Sequence, residues 1–297
     1  MTRSLLELIP LLRQKYERGE NVIEYITENF SGKELIHEAI NISYDLQSGS
    51  YVKNFHVNPD YYKAYLTDYS QVLNDLPPFN SLLEAGVGEG TTLIPLLSYL
   101  NQSPENVFGF DSSWSRIFTG LDFAKSQGKT SIRLAVGNMF QCPFPDDSID
   151  VVYTSHAIEP NGGMETEALK ELYRVTGKYL VLFEPIYEFA DEKGKERMDR
   201  LGYIKGLYQT AINLGLKVIK YELLSYNKDL INPTGVLVIE KETSQHFGKI
   251  DFCCPVSRNP LTESSDCFFN KESGLAYPKI MGIPCLKVEQ AIVATKI

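Results

Sequence analysis

An acidic residue and three glycines near position 85 have the types and spacing to hold a small ligand. Glu84 is followed by Gly86, Gly88 and Gly90 in the order E-x-G-x-G-x-G. Closely spaced glycines let the backbone turn sharply at the carboxyl end of a strand, where a side chain would block a ligand. The spacing is neither the G-x-G-x-x-G of dinucleotide sites nor the G-x-x-x-x-G-K-[ST] of phosphate-binding loops. The acidic residue therefore favours a ligand with a cationic end.

A second carboxylate, Asp111, stands 21 residues after Gly90 and is followed by Ser112. It ends a predicted strand, and a carboxylate at that point can accept hydrogen bonds from both hydroxyls of a ribose. The alternative role for Asp111 is to cap the helix that follows. We expect Asp111 and Ser112 to lie in the same binding site as the glycines.

A turn rich in glycine and proline, Ser155-His156-Ala-Ile-Glu159-Pro-Asn161-Gly-Gly, gathers the best candidates for catalysis. His156 has an ordinary pKa near 6.5 and could act as a general base or bind substrate. Glu159 and Asn161 could orient His156 or bind the hydroxyls of a sugar-like acceptor. The alternatives are a histidine with no chemical role and residues that only cap the turn.

Alternating strand and helix patterns run through the middle of the chain. Such alternation is typical of a doubly wound α/β fold, a parallel sheet covered on both faces by helices. Two more strands follow a long helix and predict an antiparallel edge, so the sheet is mostly parallel and seven-stranded. The predicted strands are 81–85, 107–111, 132–137, 149–155, 179–184, 216–226 and 235–241, and the predicted helices are 91–100, 113–127, 164–176 and 195–214.

Different patterns flank this alternation. Helical periodicity at 3–30, 32–46 and 61–76 precedes it, and a segment with four of the five cysteines and several turn signals follows it. The sequence therefore predicts three parts: an N-terminal helical cap (1–78), an α/β domain (79–244) and a small β-rich unit (245–297).

The ordered motifs between residues 80 and 185 resemble those of class I S-adenosylmethionine-dependent methyltransferases, in the small-molecule branch that includes the ubiquinone type. Beyond the glycines and Asp111, the resemblance rests on Gly137-Asn138-Met139 and on Phe144-Pro-Asp-Asp-Ser-Ile-Asp-Val-Val-Tyr153. It implies a Rossmann-like methyltransferase fold with S-adenosylmethionine as the cofactor. The cofactor-binding residues that it implies are Glu84, Gly86, Val87, Gly88, Asp111, Ser112, Asn138, Met139 and Ser155, with Glu84 toward the amino group and Asn138 and Met139 flanking the adenine.

The acceptor is expected to be a small polar molecule that is methylated on oxygen, such as a sugar nucleotide or a glycan precursor. No Asn/Asp-Pro-Pro-Tyr follows the fourth strand, which disfavours methylation of base or amide nitrogens. Glu184 and Tyr187 are further substrate-binding candidates, with Arg197 on the far side of the cleft. One of Tyr44, Gln47 and Tyr51 is expected to cover the cofactor.

The composition and net charge of the chain disfavour some classes of binding partner. The chain has 297 residues, 43% of them hydrophobic, and a net charge of −9, which disfavours nucleic acid and anionic membranes. No apolar stretch of about 18 residues and no signal peptide is seen, so the cytoplasm is the expected location and no membrane association is expected. The alternatives are an RNA methyltransferase and a non-catalytic S-adenosylmethionine-binding protein, and a homodimer stays open.

The C-terminal unit resembles the small zinc-ribbon-like family that includes the activator subunit of several methyltransferases. The resemblance rests on Cys254-Pro-Val-Ser257, Gly274-Leu-Ala-Tyr-Pro278 and Gly282-Ile-Pro-Cys-Leu286. Ser257 and Asn270 stand where that family has cysteines, so a metal-free unit is expected. Zinc is the alternative, since four thiolates suit a tetrahedral site; the cysteines concerned are Cys253, Cys254, Cys267 and Cys285.

Overall fold

A computed structural model describes residues 5–29, 33–226, 231–242 and 250–296. Its centre is a seven-stranded sheet with the order β3-β2-β1-β4-β5-β7-β6, in which β7 runs antiparallel to both of its neighbours. This confirms the predicted mostly parallel sheet with an antiparallel edge. The strands are β1 (Ser81–Ala85), β2 (Asn106–Asp111), β3 (Arg133–Val136), β4 (Ile149–Ser155), β5 (Thr176–Pro185), β6 (Lys217–Leu223) and β7 (Thr234–Glu240).

Helices cover both faces of the sheet, as the alternation predicts. Buried side chains of α5, α6 and α7 form the core on one face, and those of α8 and α10 form it on the other. The helices are α1 (Ile9–Glu17), α2 (Val22–Asn29), α3 (Lys33–Leu46), α4 (Ser50–Val57), α5 (Pro59–Asn74), α6 (Leu93–Leu96), α7 (Trp114–Ser126), α8 (Glu165–Val175), α9 (Glu192–Leu201) and α10 (Leu207–Asn213). None of the helices in the described part of the chain is long and apolar enough to cross a bilayer.

Three predicted helices differ from the structure for local reasons. The single helix expected at 195–214 is two helices, because α9 ends at Gly202 in the left-handed conformation (φ 65°) and α10 begins after Gly206 (φ 63°). The helix expected at 91–100 is only the short α6. The segment expected to be helical over 3–30 is broken by a left-handed glycine, Gly19, between α1 and α2.

The N-terminal helices are tied to the sheet by two carboxylates. Glu89, in the glycine loop, accepts hydrogen bonds from the backbone N–H groups of Gly49 (2.9 Å) and Val52 (2.8 Å) at the start of α4. Asp45, at the end of α3, accepts from the hydroxyls of Ser113 and Ser115 at the start of α7. These bonds hold the helical cap over the carboxyl ends of the strands.

The C-terminal unit is a small antiparallel sheet packed against β3. Cys285 forms a parallel bridge with Val136 of β3, and the Leu286 N–H donates to the Val136 carbonyl (2.8 Å). Its buried side chains, among them Phe268 and Tyr277, share one core cluster with the main sheet. The predicted boundary at 244/245 lies outside the described residues. The strands are β8 (Thr262–Glu263), β9 (Cys267–Asn270), β10 (Leu275–Ile280), β11 (Ile283–Pro284) and β12 (Ile292–Val293).

Candidate functional site

The glycine loop turns where the sequence predicts it. The N–H groups of Gly86 and Val87 both donate to the carbonyl of Phe110 in β2, which pins the loop to the neighbouring strand. Gly86 has φ 79°, and a Cβ at this position would collide with the Cβ of Ala157. The turn therefore requires glycine and leaves bare backbone at the carboxyl end of β1.

Asp111 is a buried carboxylate with spare acceptor capacity. Its two oxygens each accept one backbone N–H, from Gly88 and from Ser113, at 2.9 Å. Ser113, not Asp111, is the residue that caps α7. An ionised carboxylate has about four acceptor positions, so Asp111 can also accept hydroxyls of a ligand. It is 7% exposed, and it faces a cavity.

This first cavity, of about 430 Å³, collects most of the residues predicted to bind the cofactor. Glu84 and Val87 instead line a second, adjoining cavity, and Gly88 contributes its N–H to Asp111 without lining either cavity. The predicted residues that line the first cavity are Gly86, Asp111, Ser112, Asn138, Met139 and Ser155.

The second cavity, of about 740 Å³, is lined mainly by hydroxyl and amide side chains. It adjoins the first where both are lined by Gly86, Ser155 and His156. Helix α5 supplies one wall, and Ser155 is held there by the hydroxyls of Tyr65 (2.6 Å) and Tyr69 (3.2 Å). The tyrosines that line this cavity are Tyr44, Tyr51, Tyr61, Tyr62, Tyr65, Tyr203 and Tyr226, and the amides are Asn54, Asn58 and Asn232.

His156 lies at the junction of the two cavities, and both of its ring nitrogens are paired. Nδ1 lies 2.7 Å from a Glu159 carboxylate oxygen, and Nε2 lies 2.9 Å from the Thr234 hydroxyl. Burial would lower the pKa of His156, but the hydrogen bond and charge of Glu159 raise it above the ordinary value. Burial would raise the pKa of Glu159, but His156 lowers it instead. Both directions favour an ion pair.

Asn161 and Glu184 support the turn that carries His156. The Asn161 amide donates to the Ala157 carbonyl (3.4 Å) and to that of Ile158 (3.3 Å), and it lines the first cavity only. The Glu184 carboxylate accepts three consecutive backbone N–H groups, from Ala157 to Glu159. Glu184 is 1% exposed and lines neither cavity, so the structure places it beneath the turn and not in the cleft.

Tyr187 and Gln47 are not brought to the site. The Tyr187 hydroxyl donates to Asp199 (3.2 Å), and the residue lines neither cavity. Gln47 donates to the Ser43 hydroxyl (3.1 Å), whereas Tyr44 and Tyr51 line both cavities. Of the three residues expected to cover the cofactor, the two tyrosines therefore have the suitable position.

Glu84 is fully buried between the sheet and the second cavity. It accepts a hydrogen bond from the Tyr153 hydroxyl (2.8 Å), and burial raises its pKa to about 8 despite that bond. Near neutral pH this carboxyl is therefore protonated to a large extent. A cation that binds beside this carboxyl group would lower its pKa, so that the group would lose its proton and become a carboxylate.

Arg116 is a candidate site residue that the sequence reasoning missed. Its guanidinium lies over the rings of Tyr44 (5.1 Å) and Tyr51 (4.5 Å), lines both cavities and packs on Gly88. Its Nε is buried and has no hydrogen-bond partner among the residues that the structure describes. Its position five residues after Asp111, on the inner face of the first turn of α7, is the signal that could have identified it.

Comparisons with known proteins agree with this geometry. Residues 82–178 match the protein family described as "Methyltransferase domain". The "Uncharacterized methyltransferase YcgJ" of Bacillus subtilis (strain 168) is 26% identical over 104 residues, which is 34% of this chain. The chain spans 39% of the length of that relative.

Solved structures are also similar to this chain, at low sequence identity. The [4+2]-cyclase SpnF gives a TM-score of 0.50 at 15% identity, over 61% of this chain and 81% of SpnF. Magnesium protoporphyrin IX methyltransferase (ChlM) from Synechocystis PCC 6803, solved with bound SAH, gives 0.48 at 14% identity, over 64% of this chain and 86% of ChlM.

The family match and the doubly wound sheet point to the same segment. The matched residues contain the glycine loop, Asp111, Asn138 and the turn that carries His156. Residues 82–178 are therefore similar to a methyltransferase domain, and this similarity includes the residues at the carboxyl ends of the strands.

Proposed function

We propose that this protein is an S-adenosylmethionine-dependent methyltransferase that acts on an oxygen atom of a small polar acceptor. The observation that supports it most is the pair of adjoining cavities. The first presents Asp111 and bare glycine backbone, the second presents hydroxyl and amide groups, and both are lined by Ser155 and His156. This arrangement suits the nucleoside of the cofactor in the first cavity, its amino acid end past the junction beside Glu84, and an acceptor in the rest of the second cavity.

The residues of the chain contribute position and proton acceptance. S-adenosylmethionine supplies a methyl carbon on a sulfonium, with a neutral thioether as the leaving group. Alignment of the acceptor with that carbon can lower a barrier by about 7–11 kcal/mol. Ser155, fixed by two tyrosine hydroxyls, shapes the junction. His156 in its neutral form, which exists above its raised pKa, can take the acceptor proton once the acceptor hydroxyl replaces that of Thr234 at Nε2.

The lining of the second cavity indicates the class of acceptor. Tyrosine rings offer flat surfaces, and their hydroxyls, together with Asn and Thr side chains, offer alternating donors and acceptors. A sugar ring needs both kinds of contact. A sugar nucleotide, a glycan precursor or a similar hydroxylated metabolite is therefore the proposed acceptor.

Transfer of an isotopically marked methyl group tests this function. The wild-type protein is incubated with pools of sugar nucleotides and other hydroxylated metabolites and with methyl-labelled S-adenosylmethionine, followed by mass analysis. We expect one product class to gain the label on oxygen. Binding of the cofactor without transfer to any pool, or label on RNA instead, would contradict the proposed function.

The raised pKa of Glu84 predicts that cofactor binding releases a proton. If the cationic amino group of the cofactor lies beside Glu84, S-adenosylhomocysteine binding at pH 7 releases up to about one proton, because the carboxyl has a pKa of about 8 before binding. Affinity then rises with pH up to about 8, above which the free carboxyl has already lost its proton. Calorimetry in buffers of different ionisation enthalpy measures the release. The variant Glu84→Gln should lose it, and equal release in both proteins would contradict this position for the amino group.

We further infer that the C-terminal unit is a zinc ribbon whose metal has been replaced by hydrogen bonds. The Cys254 sulfur lies 3.4 Å from the Ser273 hydroxyl, and the Ser257 hydroxyl donates to Asn270 (3.1 Å). These four residues repeat the C-x-x-C…C-x-x-C spacing of a zinc site with one cysteine left. The described residues contain no group of three or more side chains suited to a metal.

Restoring the three cysteines should restore metal binding. The triple variant Ser257→Cys, Asn270→Cys, Ser273→Cys is expected to bind one Zn²⁺ per chain and to unfold at a higher temperature with zinc than without it. Metal analysis and thermal unfolding measure both effects. The control variant Thr67→Cys, Ser103→Cys, Thr130→Cys adds the same number of thiols at separate exposed positions outside the unit. Equal zinc content in the two variants would refute the ribbon arrangement.

A further inference from the structure

The path of the C-terminal unit brings two of its residues into the first cavity. Cys285 pairs with Val136 in a parallel bridge, and the Leu286 N–H donates to Val136. Because paired parallel strands advance in the same direction, the next residues of both segments stay side by side. Lys287 thus arrives beside Asn138, just beyond the carboxyl end of β3.

Lys287 is buried at this point and faces the cavity. The residue is 8% exposed, and its ammonium group lies 3.0 Å from a carboxylate oxygen of Glu289. Both residues line the first cavity together with Asn138 and Met139. A lysine is seldom buried unless it is paired, and Glu289 supplies that partner. The ammonium group has three N–H donors, so it can also donate to a ligand in the cavity.

We propose that the C-terminal unit forms one wall of the nucleoside end of the cofactor site, and that Lys287 contacts the nucleoside. This proposal rests on the proposed function, because it takes the occupant of the first cavity to be S-adenosylmethionine. Asn138 and Met139 are the residues that the motifs place beside the adenine, so Lys287 reaches ring nitrogens or ribose oxygens. The unit is then a specificity-determining part of the binding site.

Two ligands that share the nucleoside test whether Lys287 contacts the nucleoside or the amino acid end of the cofactor. S-adenosylhomocysteine has an amino acid end, whereas 5′-methylthioadenosine lacks it. We expect Lys287→Met, which keeps the buried stem, to weaken both ligands by the same factor of about ten, the effect of one hydrogen bond to a charged group. Calorimetry on the full chain measures both affinities.

A second buried lysine of the same unit is the matched control. The side chain of Lys279 is 11% exposed, against 10% for Lys287, and it pairs with Glu263 away from the cavity. Lys279→Met should leave both affinities unchanged. Unchanged affinities in Lys287→Met, with wild-type binding intact, would overturn this proposal alone. No binding of either ligand to the wild type would overturn the proposed cofactor as well.

Amide hydrogen exchange tests the same contact in the wild-type chain, so this test does not require a variant that folds. On addition of S-adenosylhomocysteine to the wild-type chain, we expect slower exchange in peptides that cover 285–291, together with those that cover 137–140. Peptides that cover 262–266, at the outer edge of the small sheet, should not change. Protection of the glycine loop with no change at 285–291 would contradict a wall formed by the C-terminal unit.

Discussion

The variant Asp111→Ala is expected to bind S-adenosylhomocysteine about 100-fold more weakly than the wild type. The carboxylate can accept both ribose hydroxyls, and each hydrogen bond to a charged group contributes about 1.5 kcal/mol or more. Asp111 also fixes the N–H groups of Gly88 and Ser113, so its removal loosens the loop on which the ligand lies. Isothermal titration calorimetry measures the change.

A conservative variant and a surface variant separate binding from folding. Asp111→Asn keeps the shape but removes the charge, and it should lose less affinity than the alanine variant. Asp122 lies exposed on α7, the helix that follows Asp111, where it pairs with Lys125, so Asp122→Ala should bind as the wild type does. Equal affinity in wild type and Asp111→Ala would show that the ribose does not lie at this carboxylate.

Replacing His156 is expected to slow methyl transfer without weakening the cofactor. His156→Ala should lower kcat by about 10²- to 10⁴-fold, the range of general-base catalysis, and leave the Kd of S-adenosylhomocysteine within about twofold. The affinity should hold because Gly86 and Asp111, at the ends of β1 and β2, supply the main predicted cofactor contacts, and the backbone that carries Ser155 does not depend on the His156 side chain. The measurements are steady-state kinetics with the acceptor found in the screen and calorimetry. His56→Ala, an exposed histidine at the end of α4, is the control.

The pH profile separates a base from a merely structural histidine. Glu159 raises the pKa of His156, so in the wild type the neutral, proton-accepting form appears only above the ordinary pKa of about 6.5. In Glu159→Gln, burial still lowers the pKa of His156, but the carboxylate that raised this pKa is gone. The acid limb of kcat/KM should therefore move to lower pH. An acid limb at the same pH in both proteins, or a His156→Ala variant with full kcat, would exclude His156 as the base.

Local patterns in the sequence predicted the sheet and the site residues at the carboxyl ends of its strands. All seven predicted strands lie within about three residues of the observed bounds. The carboxyl ends of parallel strands meet at one edge, which brought Gly86, Asp111 and Ser155 together without knowledge of any contact. Glycines outside these motifs were harder to interpret, so the breaks at Gly202 and Gly206 were missed.

Contacts between distant parts of the chain explain what the sequence did not predict. Arg116 is on a predicted helix, but its burial depends on Tyr44 and Tyr51, which come from the N-terminal cap. Glu184 lies at the end of a strand, where a side chain was expected to face the cleft. Its carboxylate instead accepts hydrogen bonds from three N–H groups of the turn that covers it. Lys287 reaches the first cavity only through pairing with β3, about 150 positions earlier in the chain.

Calorimetric titration of S-adenosylhomocysteine into the wild-type full-length protein tests the central claim most directly. The two-cavity geometry predicts binding at one site per chain, together with slower amide exchange at 84–90 and 137–140. No heat and no protection with folded protein would contradict the claim that this sheet edge holds the nucleoside of a methyl donor.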